Sequence, residues 1–244
     1  MSIPSFAPAP LESSPDTPLA NRIARCQHLA LVLWVGVSMP ILGCVYYLLG
    51  GSAATAPTHQ HYRLWGGLIS EASGLLVLWY VIRNQGKTWR GIGWNPSFAD
   101  IRRALGLFLV STAATWIAYL PAQYLYHAYS HEFLAQKSLK PILGFGISAL
   151  SIAFVLINPF FEELIVRAYT ISELIDLGTN RALAIAISVA IQLSYHLYQG
   201  LANVIVLLAT FTVFSIYYSR TRRIVPVILV HLGLDLFWLF KANL

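Results

Sequence analysis

Charge is scarce in this sequence. Lys, Arg, Asp and Glu make up 11% of its 244 residues and 57% are hydrophobic, where an average soluble domain carries roughly 25% charge. Too little charge remains to cover a water-facing surface, so the composition implies a polytopic membrane protein. Cysteine is scarcer still: Cys26 and Cys44 are the only two, which excludes a disulfide framework or a zinc ribbon. "ILGC" at 41–44 loosely resembles a lipoprotein box, but Leu42 fits it poorly and the apolar run continues through "VYYLLGG". Cys44 is therefore read as helix packing. No repeat of solenoid period and no inverted halves of the kind many transporters show are visible by eye. The formal charge of +6 does not imply a nucleic-acid partner, because the basic residues fall in short clusters between apolar runs.

What the chain does have is seven apolar runs, near 28–49, 64–82, 104–126, 142–172, 182–199, 202–219 and 225–240. Most approach the roughly 20 residues a helix needs to cross a bilayer. The expected fold is all-α, a transmembrane bundle of about seven spans. Residues 1–20, with five prolines and four serines, read as a disordered tail with little to bury. Residues 21–244 read as one helical membrane domain. Pro40 marks an expected kink in the first run.

Orientation follows from the loop charges. With the N-terminus inside, the cytoplasmic side carries Arg22, Arg25, Arg83, Lys87, Arg90, Arg102, Arg103, Arg181, Arg220, Arg222 and Arg223, against Arg63, Lys137, Lys140 and Lys241 outside. That asymmetry is the positive-inside pattern. It predicts a multi-pass protein of the cell membrane with a cytoplasmic N-terminus. "GIGWNPSFADIRRAL" (91–105) reads as a cytoplasmic amphipathic stretch on the bilayer surface, anchored by Trp89 and Trp94.

Against this background the ionisable residues inside the runs stand out, since each costs a few kcal/mol at the bilayer centre unless it meets a partner or a water cavity. They are Glu71, Glu162, Glu163, Arg167, His196, His231 and Asp235. In "NPFFEELIVR" (158–167), Glu163 and Arg167 are four apart and can pair on one helix face. Glu162 points about 100° away from them, which leaves it free as a general base. Pro159 predicts a kink or a helix restart with Asn158 as cap. In "QLSYHLYQG" His196 lies on an apolar helix, with Gln192 one turn earlier. In "VHLGLDLF" His231 and Asp235 are four apart, a spacing that suits two ligands of one metal or a hydrogen-bonded pair aimed at one oxygen. Counting 1.5 Å per residue from the run ends places Glu162, His196 and Asp235 about 15, 18 and 15 Å deep, so three helices can bring them to one level. Glu71, among the small residues of "LISEASGLL", is read as a structural hydrogen-bonding group in a closely packed stretch.

These motifs, EExxxR at "EELIVR", a histidine motif at "YHLYQG" and HxxxN/D at "HLGLDLF", are similar in order and spacing to those of the CPBP (Abi, or CAAX-protease-like) intramembrane proteases, over about residues 140–240. The resemblance implies a helical membrane protease that hydrolyses a peptide bond of a membrane-associated or lipidated peptide. It implies Glu162 as base, His196 as its partner, His231 and Asp235 at the carbonyl oxygen, and Glu163 and Arg167 shaping the site. Two positions depart from the family: Gln192 stands where Phe is usual, and Ala168 where Gly usually follows the Arg. The cofactor question stays open between Zn²⁺ held by Glu162, His196 and His231 with water in a fourth position, and a metal-free scheme with water between Glu162 and His196. Beside the protease reading stand a non-catalytic immunity or scaffold protein, also known in that family, and a proton-coupled transporter.

Overall fold

A computed structural model describes residues 18–50, 60–129 and 146–243, and every element among them is helical. Helix α1 spans Pro18–Gly50, α2 Gln60–Asn84 and α3 Ala99–Tyr129. A fourth rod is built from α4, Ala149–Phe161, a π-helical stretch Glu162–Tyr169, and α5, Thr170–Asp176. Then come α6, Arg181–Ser194, α7, Leu201–Thr221, and α8, Val225–Ala242. Short 3₁₀ turns occupy Trp89–Ile92 and Leu197–Gln199. Seven rods among the described residues thus correspond to the seven apolar runs. The tail expected over 1–20 lies outside the described residues except for Pro18–Ala20, which already belong to α1.

Five of the rods are long and apolar enough to cross a membrane: α1, α2, α3, the fourth rod and α7. The other two have 14 and 18 residues, about 21 and 27 Å of helix. Large apolar side chains stand outward on the rods, among them Trp34, Trp116, Ile117 and Leu120, each at least 65% exposed. Water would not tolerate so much exposed apolar surface on a monomer; lipid does. The protein is a multi-pass membrane protein, and its charged fourth rod is the most enclosed of the five spans.

One end of the bundle gathers the basic residues. Arg22 donates to the Leu177 carbonyl at 3.1 Å, and Arg25 bonds Glu173 and Asp176 at 2.9 Å each, with Lys87 against the same Glu173 carboxylate. Arg223 clasps Asp100 through two bonds of 2.8 Å. Those bonds push the Arg223 guanidinium above its ordinary value, so the clasp keeps its charge. Beside it the Ile224 N–H donates to the Gly93 carbonyl at 3.2 Å. Gly93 is required there: its φ is +91°, and a Cβ would stand 2.5 Å from the Arg222 carbonyl oxygen. The starts of α1, α3 and α8 and the ends of α2, α5 and α7 therefore share one face. At the other end the Gly146 N–H meets Asn243 at 2.9 Å, and Ser148 and Ser151 form a capping box that starts α4.

Two local expectations are corrected. Helix α4 runs through Pro159 without a restart, so Asn158 is no cap. Beyond Pro159 the rod passes into a π-helical ladder that begins at Glu162. Residues 91–105 are likewise not one amphipathic element. Trp89–Ile92 is a 3₁₀ turn, Ala99 already begins α3, and the Trp94 ring packs on Phe160 with centroids 5.7 Å apart. Its anchor is the protein core.

Candidate active site

The π-helical stretch carries the carboxylates, and its loosened backbone is held by hydroxyls. Thr170 donates to the Ile165 carbonyl at 2.8 Å, Ser188 of α6 to Val166 at 2.7 Å, and Tyr218 of α7 to Ala168 at 3.1 Å. In hydrocarbon such donors must come from the protein itself. Two neighbouring rods are thereby fastened to the segment that presents Glu162 and Glu163.

Glu163 and Arg167 form a close ion pair, both with fully buried side chains. Arg167 also donates through Nε to Ser215 at 3.1 Å and through Nη2 to Gln192 at 2.5 Å. The guanidinium lies 5.4 Å from the Phe214 ring and 5.8 Å from that of Phe211. Glu163 has a second partner: His231 Nδ1 lies 2.7 Å from its Oε1. A carboxylate only accepts, so Nδ1 carries the proton and donates.

The pairing read between His231 and Asp235 is thus displaced. Their closest approach is 3.7 Å, beyond a hydrogen bond. The carboxylate that orients the His231 ring is Glu163, from another helix. His231 Nε2 faces the interior of the site, 4.0 Å from Glu162 Oε2 and 3.7 Å from Asp235 Oδ1.

Glu162, 4% exposed, is gripped on both oxygens. Gln192 donates to Oε2 at 2.7 Å and Asn158 approaches Oε1 at 3.4 Å. Gln192 consequently joins Arg167 to Glu162 by accepting from one and donating to the other. Only an amide has both functions at that reach. The residue that departs from the family pattern is the bridge of the site, and its sole signal in the sequence was a polar side chain one turn before His196. Asn158 also donates to Glu71 Oε1 at 3.0 Å, which brings α2 into the cluster and gives Glu71 the hydrogen bond expected of it.

His196 does not lie within a helix. Helix α6 ends at Ser194, and His196 stands in the turn before Leu197–Gln199, which closes at Gly200 with φ +85°. Its Nδ1 is 2.7 Å from the Gln192 carbonyl oxygen, so Nδ1 donates and Nε2 is left with its lone pair. The ring packs against Tyr195, Tyr198 and Phe211. Glu162 and His231 are within electrostatic reach of it.

Among the described residues, no three of His, Cys, Asp and Glu converge as a metal site. Two ligands of one tetrahedral zinc stand about 3.3 Å apart, whereas Glu162 and His231 approach to 4.0 Å. As placed, Glu162 and His231 stand farther apart than two ligands of one zinc.

Residues 144–237 match the Rce1-like family, described as type II CAAX prenyl endopeptidase Rce1-like. Over these residues the chain is similar to that family. The match agrees with the resemblance read from the three motifs. No curated protein and no solved structure matches the chain. The Rce1-like segment takes in Glu162, Glu163, Arg167, His196, His231 and Asp235, along with Asn158 and Gln192. It excludes α1, α2 and α3, and with them Glu71.

Proposed function

We propose that the protein is an intramembrane endopeptidase that hydrolyses a peptide bond with water activated by Glu162 and His196, without a metal. The observation that carries this reading is the fixed Glu162 carboxylate with His231 Nε2 4.0 Å from it, and a second histidine, His196, whose Nδ1 donates to the backbone and leaves Nε2 free. His196, with a lone pair on Nε2, accepts a hydrogen bond from the water while Glu162 takes the other hydrogen as a proton, and the water oxygen attacks the scissile carbonyl carbon. His231, as imidazolium, donates from Nε2 to the oxyanion that forms. Glu163 holds that ring, and Asp235, 3.7 Å from Nε2, acts through His231 because an ionised carboxylate cannot itself donate to an oxyanion. On collapse of the tetrahedral intermediate the C–N bond breaks, and the proton taken up by Glu162 passes to the leaving nitrogen.

The family's description makes a prenylated C-terminal peptide the first substrate to try. The cell membrane, with the basic end of the bundle in the cytoplasm, is the proposed setting. The test is purified protein in lipid vesicles against prenylated and unprenylated membrane peptides, wild type beside Glu162→Gln, with products located by mass spectrometry. Cleavage by the wild type and none by a folded Glu162→Gln is expected. Undiminished cleavage by Glu162→Gln refutes the mechanism.

A further inference from the structure

Glu71 is the one buried carboxylate of the cluster that this mechanism leaves unused. It lies on α2, outside the Rce1-like segment, and is 4% exposed. Packing does not call for it. Its neighbours Ser70, Ala72, Ser73 and Gly74 let the rods approach closely, and a Cβ on Gly74 would stand 2.9 Å from the Phe161 ring and 3.2 Å from the Gly36 backbone. An apolar side chain at 71 would fill such a contact without burying a carboxyl group. Among the described residues its Oε2 has no hydrogen-bond partner. A buried polar atom in that condition lowers stability, so some other property of Glu71 offsets the cost.

We propose that Glu71 is a positioning residue for the reaction, holding Glu162 from α2 through the side chain of Asn158. The inference rests on the peptidase reading above. One nitrogen, Asn158 Nδ2, lies 3.0 Å from Glu71 Oε1 and 3.4 Å from Glu162 Oε1. Its two N–H groups serve two carboxylates from two helices. With an acceptor on each side, the amide cannot turn over, because its oxygen would then face both carboxylates. Removing Glu71 takes away the shorter of the two contacts that hold the amide, so the donor on the Oε1 side of Glu162 is no longer fixed while Gln192 keeps its hold on Oε2. Catalytic geometry is steep: a displacement of about 1 Å can lower a rate on the order of a hundredfold. The effect falls on kcat, since Glu71 reaches the water only through Asn158 and Glu162.

The experiment measures kcat, KM and thermal stability of the purified protein in vesicles with a quenched-fluorescent prenylated peptide. The variants are Glu71→Leu, Glu71→Gln, Asn158→Ala and the Glu71→Leu/Asn158→Ala pair, with Glu162→Gln as reference. Glu71→Leu and Asn158→Ala are each expected to lower kcat roughly tenfold at unchanged KM. The pair loses no more than either alone, because both cut one path. Glu71→Gln, which keeps an acceptor for Asn158, regains most of the rate. A folded Glu71→Leu with wild-type kcat overturns the proposal, as do losses that multiply in the pair or a Glu71→Gln no better than Glu71→Leu. Asn158→Ala probes the same path from α4, so a folding failure of one variant leaves the other to decide. Full cleavage by Glu162→Gln removes the peptidase reading itself, an outcome distinct from any failure confined to Glu71.

Discussion

Replacing Glu163 by Gln removes one charge from the centre of the bundle and little else. The amide oxygen can still accept from His231 Nδ1, and the volume is unchanged, so the perturbation falls on Arg167. That guanidinium has no exposed surface. After the substitution it retains Ser215 at 3.1 Å, Gln192 at 2.5 Å and the faces of Phe211 and Phe214, all neutral partners. Breaking a buried ion pair from one side costs about 3–5 kcal/mol, and the surviving neutral acceptors set the expectation at the lower end, about 3 kcal/mol. Arg167→Met removes the stranded cation. The double variant is therefore expected to recover at least about 1 kcal/mol relative to the sum of the singles, well above the 0.3–0.5 kcal/mol scatter of independent sites. The assay is a double-mutant cycle of unfolding in mixed micelles for wild type, Glu163→Gln, Arg167→Met and both. Simple additivity refutes the reasoning, because two groups that stabilise each other's charge cannot have independent costs.

Two further outcomes are expected. Gln192→Leu, which deletes the bridge between Arg167 and Glu162, leaves buried partners unsatisfied and should cost about 1–3 kcal/mol of stability together with most of the activity; unaltered kcat in a folded Gln192→Leu protein would show that the bridge has no part in the reaction. For topology, a C-terminal reporter active only outside the cytoplasm should light up, and one active only in the cytoplasm should stay silent; the reverse pattern refutes the orientation drawn from the basic end of the bundle.

The seven rods were legible because apolar length is a one-dimensional signal, and each run marks its helix to within several residues except at the N-terminal side of α1, which extends back to Pro18. The pairing of Glu163 with Arg167 was legible for a similar reason, since a spacing of four brings side chains together on one helix. His231 illustrates where such reasoning fails. The same rule assigned it to Asp235, yet the ring turns to Glu163 at 2.7 Å on another rod. Spacing along one helix says which neighbours are available, and packing between helices decides among them. His196 fails differently: the apolar run continues past it, and only the positive φ at Gly200 and the end of α6 at Ser194 reveal that it stands in a turn. Gln192 was visible as a polar residue but had no readable partner, because both of its partners are more than twenty positions away in sequence.

The carboxylates stand where the ladder of the fourth rod changes. Pro159 withholds a donor one turn before Glu162, and beyond it the rod continues as a π-helical ladder rather than breaking. A widened ladder in hydrocarbon is tolerable only where neighbours supply donors and exclude lipid. Ser188 and Tyr218 supply donors from α6 and α7. On the opposite side, a Cβ on Gly36 of α1 would lie 3.2 Å from the Ile165 side chain and one on Gly74 of α2 would lie 2.9 Å from Phe161, so those two rods press directly on the segment. The π-helical stretch is therefore held from four sides, two of them outside the segment that matches the Rce1-like family. The same approach that lets Gly74 touch Phe161 brings Glu71, one turn earlier on α2, within reach of Asn158. Close packing and catalytic positioning are consequences of one contact, which is why the small residues of "LISEASGLL" and the charged residues of "EELIVR" have to be read together.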